Sequence, residues 1–214
     1  MRNEDLESTK GKIVSSVRGL PYFMVENLNL YGVDQNYLRV ILSRLTRRKE
    51  IIRLKKGFYT TKSFVEKTEK ENNFSSFLEF LSTKIYFPSY LSLDYVLYEN
   101  NILTEIPKNF TLITKNKTIT FSNDFGVFIY HKIKDELFLG FEIRKIDNFL
   151  IYKSSLAKAL FDFLYLRKNI ILSKQMLMEL RLNLDNFKEK TEFKKYVDME
   201  GSKKMKEIFS LLFE

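Results

Sequence analysis

Cysteine is absent from the chain, which excludes disulfides, zinc–thiolate sites, iron–sulfur clusters and a cysteine nucleophile together. The single histidine, His131, leaves no His-x-x-x-His metal motif and no two-histidine acid–base pair. Glycine-rich phosphate loops are missing as well: Gly-x-Gly, the Walker pattern and Gly-x-Ser-x-Gly do not occur. No stretch approaches the ~18 consecutive apolar residues that cross a bilayer. The opening Met1-Arg2-Asn3-Glu4-Asp5 lacks the apolar core of a signal peptide, so the expected location is cytoplasmic, with no membrane partner. Hydrophobic residues nevertheless make up 44% of the 214, with 20 phenylalanines and 12 tyrosines. That is enough to pack a core, which rules out a wholly disordered chain. At ~100–200 residues per domain the length allows one large domain or two small ones.

Charge is unevenly placed. Between Arg39 and Lys62 lie nine basic residues, opposed only by Glu50, so this window holds +8 of the net +9. A concentrated positive field suits a polyanion, because each neutralised phosphate releases condensed counterions. A solvated basic face kept for solubility is the plain alternative.

Along the chain, Leu6, Ile13, Val14, Val17 and Leu20 predict a first helix over residues 5–20, punctuated by Gly19 and Pro21. Pro21 suits the first position of a second short helix over 22–30, with Phe23, Val25, Leu28 and Leu30 apolar. Gly32 is the expected turn, and Asp34 is placed to cap a third helix running to about Lys49. In that helix Leu38, Ile41, Leu42 and Leu45 follow the spacing of one buried stripe. The opposite face holds Asn36, Arg39, Val40, Ser43 and Arg47. Ile51–Leu54 and Phe58–Thr61 flank Lys55-Lys56-Gly57 and read as a β-hairpin. This order of elements predicts a winged helix-turn-helix over residues 1–65.

Residues 66–73 are almost entirely polar and are the expected linker. Beyond them, 74–214 are expected to form an α+β domain. Helices are predicted over 74–86 and 91–98. Five β-rich segments (110–114, 117–121, 126–130, 137–141 and 149–152) are predicted as an antiparallel meander, and helices return from Ser155 to the end. The expected fold class is thus α+β, a winged helix-turn-helix followed by a mixed domain with a β-meander flanked by helices.

Nothing catalytic stands out. Gly201-Ser202 resembles the start of a nucleotidyltransferase signature, yet no paired carboxylates follow it. His131 has no partnered nucleophile and reads as structural. Asp162 is expected to pair with Lys158 one helical turn away. Asp124, Asp135 and Glu136 read as solvated turn residues rather than magnesium ligands. The chain is therefore read as a non-enzyme without metal or cofactor.

The basic window carries the better case. Asn and Arg offer the paired donors and acceptors that match adenine and guanine edges in a major groove. Asn36, Arg39, Val40, Ser43 and Arg47 are the candidate reading face. Arg53, Lys55 and Lys56 on the hairpin are expected to track phosphates, and Arg44 and Arg48, toward the flank, to clamp the backbone or make intrahelical pairs. Tyr86, Tyr90, Tyr95, Tyr98 and Tyr130 suggest an interface with a protein partner, since hydroxyl-tipped rings favour such surfaces.

Several of these segments together resemble the AbiEi-type antitoxins and related transcriptional regulators of viral defence systems. Tyr37-Leu-Arg-Val-Ile-Leu-Ser-Arg-Leu45 and Ile51-Ile-Arg-Leu-Lys-Lys-Gly-Phe-Tyr59 are similar to that family's recognition helix and wing. Pro88-Ser-Tyr-Leu-Ser-Leu93, Phe125-Gly126 with Tyr130, and Lys158-Ala-Leu-Phe-Asp162 follow in the family's order, over roughly residues 12–167. Leu156-Ala157 stand where the family has Pro-Glu. The resemblance implies a DNA-binding transcriptional repressor that binds inverted repeats in its own promoter. It further implies that the protein is the antitoxin of a type IV, AbiE-like toxin–antitoxin system acting in abortive infection. Its C-terminal domain would oppose a nucleotidyltransferase-type toxin without a stable complex. The alternative is a stand-alone winged-helix regulator whose C-terminal domain binds another protein.

Overall fold

The structure is a computed structural model that describes residues 3–31 and 34–213, with side chains from Lys10 onward except at 29–31. Gly32, and the side chains of Leu6 and Leu30, lie outside the described residues. Those described form an α+β fold of nine α-helices and two sheets, one of three strands and one of six. The chain divides into two compact units: residues 1–81 with 121–125, and residues 82–120 with 126–214.

In the first unit, α1 (Asn3–Val17) is followed by β1 (Phe23–Met24), a 3-10 helix (Val25–Tyr31) and α2 (Gln35–Arg47). Next come β2 (Ile51–Lys55), β3 (Phe58–Thr61), α3 (Lys62–Lys70) and α4 (Phe74–Ile85). The Asp34 carboxylate accepts hydrogen bonds from the Asn36 and Tyr37 amides, both at 3.0 Å, and so starts α2 where a cap is expected. Leu38, Ile41, Leu42 and Leu45 are all buried and join Ile13, Val17, Phe23, Leu28, Ile51 and Tyr59 in one core. After Arg48, Lys49 takes φ +57 and its amide donates to the Thr46 carbonyl, which ends α2 two residues earlier than expected.

The expected second helix over 22–30 is instead a two-residue strand and a 3-10 helix. Phe23 and Met24 pair with Tyr59 and Phe58, and the Val25 amide donates to the Gly57 carbonyl. Pro21 accordingly precedes a strand, not a helix, and Leu20 is exposed. The three strands run antiparallel in the order β1-β3-β2. Gly57, at φ +77, makes the hairpin turn, and the register shifts between Arg53 and Lys55.

Residues 66–73, read as a linker from their polarity, form the end of α3 and a turn into α4. Thr61 caps α3 by accepting from the Phe64 amide, while Val65, Thr68 and Asn73 are buried. Two inward positions suffice for a short helix whose other sides face water. The division between units falls after Leu81.

The six-stranded sheet comprises β4 (Ser89–Leu91), β5 (Asn109–Thr114), β6 (Ile119–Asn123), β7 (Gly126–Lys132), β8 (Phe141–Ile146) and β9 (Phe149–Ser154). Its order, β6-β7-β5-β4-β9-β8, corrects the expected antiparallel meander. β5 pairs with β7 in parallel, and β4 sits between β5 (antiparallel) and β9 (parallel). The segment expected as a strand at 137–141 is mostly a 3-10 turn (Asp135–Leu137) and a loop, and the strand begins at Phe141. Ser89–Leu91, expected at the edge of a helix, is the short strand that completes the sheet before α5 (Leu93–Glu99). α6 (Leu156–Arg167) packs against α5, β9 and α8 (Lys190–Glu200), with α7 (Lys174–Glu179) and α9 (Lys203–Phe213) completing the chain.

Candidate nucleic-acid interface

At about 100° per residue, α2 turns Leu38, Ile41, Leu42 and Leu45 inward and Asn36, Arg39, Val40, Ser43 and Arg47 outward. All five outward residues are exposed, Val40 at 45%. Beside this face, α2 and the β2–β3 hairpin enclose a groove of about 730 Å³. Arg39, Ser43 and Arg47 line it from the helix, and Arg53 and Lys56 from the hairpin. Half of the ten candidate binding residues thus meet in one concavity, with four cationic side chains around it. Among the described residues, Glu26 is the one carboxylate in the lining. Gln35, Thr46 and Tyr59 also line the groove. Gln35 was legible as a paired donor–acceptor side chain one turn before Arg39 but was not singled out.

The other candidates lie elsewhere. Asn36 and Val40 are outward but outside the groove, and the Arg39 guanidinium donates to Asn36 Oδ1 at 3.4 Å. Arg44 and Arg48 are about 140° and 180° around the helix from Arg39. Lys55 departs from its neighbours. The irregularity between Arg53 and Lys55 re-aims the side chain, and its ammonium lies 5.6 Å from the Phe58 ring and 5.7 Å from the Phe121 ring. Burial lowers the Lys55 pKa, and Glu26 partly offsets this. Lys55 is therefore a half-buried packing residue on aromatic rings, where Arg53 and Lys56 are exposed.

Chemically, such a groove can neutralise phosphates along its rim while the outward face of α2 presents donors, acceptors and one methyl-bearing residue. The short hydroxyl of Ser43 beside the long Arg39 and Arg47 leaves room for an approaching backbone.

In the second unit a different constellation forms, closed to solvent. Lys158 and Asp162 are 0% exposed, and the Lys158 ammonium donates to Asp162 Oδ1. Asp162 Oδ2 accepts from the Ser92 hydroxyl at 2.8 Å and from the Tyr90 hydroxyl at 3.0 Å. The Lys158 ammonium also lies 4.8 Å from the Phe161 ring centre and 5.6 Å from that of Tyr196. Burial raises the Asp162 pKa against the opposing pull of Lys158, Ser92 and Tyr90, and burial lowers that of Lys158. The expected local ion pair is present, and the two hydroxyls that complete it come from a segment about seventy residues earlier. Being sealed, this network holds α6 to the sheet and has no access to an outside substrate.

His131 is half-buried in β7, in a cleft it shares with Asp94 and Arg167, and burial and Arg167 lower its pKa. Asp124, Asp135 and Glu136 are exposed, and among the described residues no group of three or more His, Asp or Glu could hold a metal. Tyr90 and Tyr130 correct the expected tyrosine surface, since both are fully buried; the Tyr130 hydroxyl donates to the Ser82 carbonyl. Tyr86, Tyr95 and Tyr98 are half-buried. No protein-family model and no curated protein matches the chain.

Proposed function

We propose that the first unit is a winged helix-turn-helix that binds duplex DNA, with α2 as recognition helix and the β2–β3 hairpin as wing. We further propose that the chain is a transcriptional repressor of its own operon. The observation that carries this reading is the single groove in which Arg39, Ser43 and Arg47 of α2 face Arg53 and Lys56 of the hairpin. Arg39, Asn36 and Val40 read base edges, Val40 against a thymine methyl, while Arg47, Arg53 and Lys56 fix the register on phosphates. The antitoxin role follows the resemblance to AbiEi-type proteins. It is supported by the contrast between the local +8 and a nearly neutral remainder, which separates a DNA-binding part from one of other purpose.

Fluorescence anisotropy with the upstream DNA of its own gene, over a salt series, tests the binding. Arg39→Ala is expected to weaken binding by about 1–3 kcal/mol and to relax sequence preference, whereas Lys56→Ala weakens all sequences alike and flattens the salt slope by about one unit. Binding by both variants as tight as the parent's, with the same slope, would overturn the assignment of helix and wing. Co-expression of the chain with an adjacent nucleotidyltransferase, scored by growth, tests the antitoxin role separately.

A further inference from the structure

Among the described residues, both end strands of the six-stranded sheet leave a row of backbone donors and acceptors without a strand partner. β8, at one end, carries Glu142-Ile143-Arg144-Lys145 with all four residues exposed, Ile143 at 56%. Its pairing with β9 sets Ile143 beside Tyr152 and Lys145 beside Leu150, so the exposed Ile143 and Leu150 share one face of the sheet. An edge of this length with an apolar residue in water invites strand addition.

We propose that β8 is the contact through which two copies of this chain join, antiparallel, about a twofold axis that passes midway between the two copies of Ile143. The register follows from symmetry and charge. A twofold that places two antiparallel edges side by side stands normal to the sheet and keeps every side chain on its own face. The axis must then pass midway between a residue and its own copy, which lie directly opposite one another. Centred on Glu142, Arg144 or Lys145, the pairing sets like charges directly opposite one another, which is destabilising. Centred on Ile143, it places Ile143 against Ile143, Glu142 against Arg144 twice, and Phe141 against Lys145 twice. Centres nearer the strand ends pair fewer residues.

Within one chain the Glu142 carboxylate and the Arg144 guanidinium are already 3.4 Å apart, an exposed pair of little energetic weight. Joining two edges gives each of these groups a second partner of opposite sign. The other edge, β6, has no charged residue to select a register, and the Asn123 side chain on it donates to the Leu54 carbonyl. A six-residue edge is a small contact, so association is expected near roughly 0.1 mM rather than at nanomolar concentration. Twofold symmetry would also present two DNA-binding units in the arrangement that inverted repeats require.

Sedimentation equilibrium of the full chain, from about 10 µM to about 500 µM and without DNA, tests the contact independently of the proposed function. A monomer–dimer equilibrium is expected for the parent. Glu142→Arg and Arg144→Glu are each expected to weaken it roughly tenfold or more. An equimolar mixture of those two variants restores association, because every cross-strand pair is again Arg against Glu. Cross-linking tests the register directly in this cysteine-free chain. Ile143→Cys is expected to form an interchain disulfide on mild oxidation, since directly opposed residues are about 4.5–5.5 Å apart. Lys145→Cys is not, since the two copies of that residue are more than ~13 Å apart. A parent that stays monomeric throughout, a mixture that fails to associate, or cross-linking through Lys145→Cys in preference to Ile143→Cys would overturn the proposal.

Discussion

Removing the Lys158 ammonium from the sealed network of the second unit has a consequence that can be worked from its geometry. Asp162 has three donors: Lys158, Ser92 at 2.8 Å and Tyr90 at 3.0 Å, with no exposure to water. Lys158→Met keeps most of the side-chain volume but leaves a buried carboxylate with two neutral donors, which costs about 3–5 kcal/mol. Asp162→Leu, which strands the ammonium instead, costs a similar amount. The double variant removes both charges and the desolvation each one carries. It leaves the Ser92 and Tyr90 hydroxyls without their acceptor, at about 1–3 kcal/mol each, against a gain of about 1–4 kcal/mol for replacing a buried pair by apolar groups. On these figures the double costs at most about 5 kcal/mol against about 6–10 for the two singles together, so it should lie at least about 1 kcal/mol above their sum in stability, as expected of one shared network. Tyr90→Phe should cost about 1.5–3 kcal/mol in the parent and instead recover about 1–3 kcal/mol in the double variant, because it then removes a buried hydroxyl that has no acceptor. Urea denaturation, followed by circular dichroism and tyrosine fluorescence, measures each value. The pH dependence supplies a second check. A folded-state carboxyl whose pKa is raised binds more protons than the unfolded chain above pH ~3.8, so stability rises as pH falls through that window. Loss of Lys158 removes a downward pull on Asp162, so the penalty of Lys158→Met should shrink as pH falls towards the raised folded-state value. Additive single variants, or a Tyr90→Phe cost equal in both backgrounds, would refute the reasoning.

Gly140 has φ +75, and a Cβ built there would lie 2.5 Å from the Tyr196 hydroxyl oxygen and 3.0 Å from Lys158 Cδ. Gly201 has φ +78 with no neighbour closer than 3.8 Å. Gly201→Ala is expected to cost about 1–2 kcal/mol from backbone strain alone, and Gly140→Ala clearly more in parallel urea titrations. Equal costs would show that the close approach of Tyr196 and Lys158 is unimportant. As the only histidine, His131 gives one ring resonance by NMR, and its titration midpoint should fall below the ordinary 6.5, through burial first and Arg167 second. With the folded pKa below the unfolded one, the unfolded chain takes the proton first, so stability is retained above pH ~6.5 and declines as pH falls through the folded value. A midpoint at or above 6.5 would contradict the placement of Arg167.

What the amino-acid order revealed depends on how far apart the interacting residues are. The stripe Leu38, Ile41, Leu42 and Leu45, its cap at Asp34 and the turn at Gly57 are all set within one or two turns of chain, and each was legible. Phe23 and Met24 were misread as helical because their extended state comes from Phe58 and Tyr59, thirty-five residues on. The six-stranded sheet failed in the same way. Its individual strands announce themselves by β-branched and aromatic residues, but the parallel pairing of β5 with β7 and the insertion of a three-residue β4 are long-range choices with no local signature. β8 was hidden for a different reason. An edge strand that faces water on both sides shows no alternation of polar and apolar residues, and Glu142-Ile-Arg-Lys145 resembles a loop in composition.

The same distinction separates the two side-chain constellations. The groove of the first unit was half legible, since Arg39, Ser43 and Arg47 follow from helical spacing and Arg53 and Lys56 from the hairpin. Lys55 was read as part of the turn with Lys56, whereas β2 runs on through it, and the register shift after Arg53 brings it against aromatic rings. In the second unit the i, i+4 pair of Lys158 and Asp162 was visible, but the hydroxyls that make its burial tolerable arrive from 70 and 72 residues away. The segments Pro88–Leu93 and Lys158–Asp162 were grouped earlier by resemblance alone. Their meeting at one carboxylate gives a physical reason for both to carry those residue types. The buried Asp162 takes a cation from its own helix and hydroxyls from β4 and the residue that follows it, so a change in either segment alone leaves a buried polar group short of a partner.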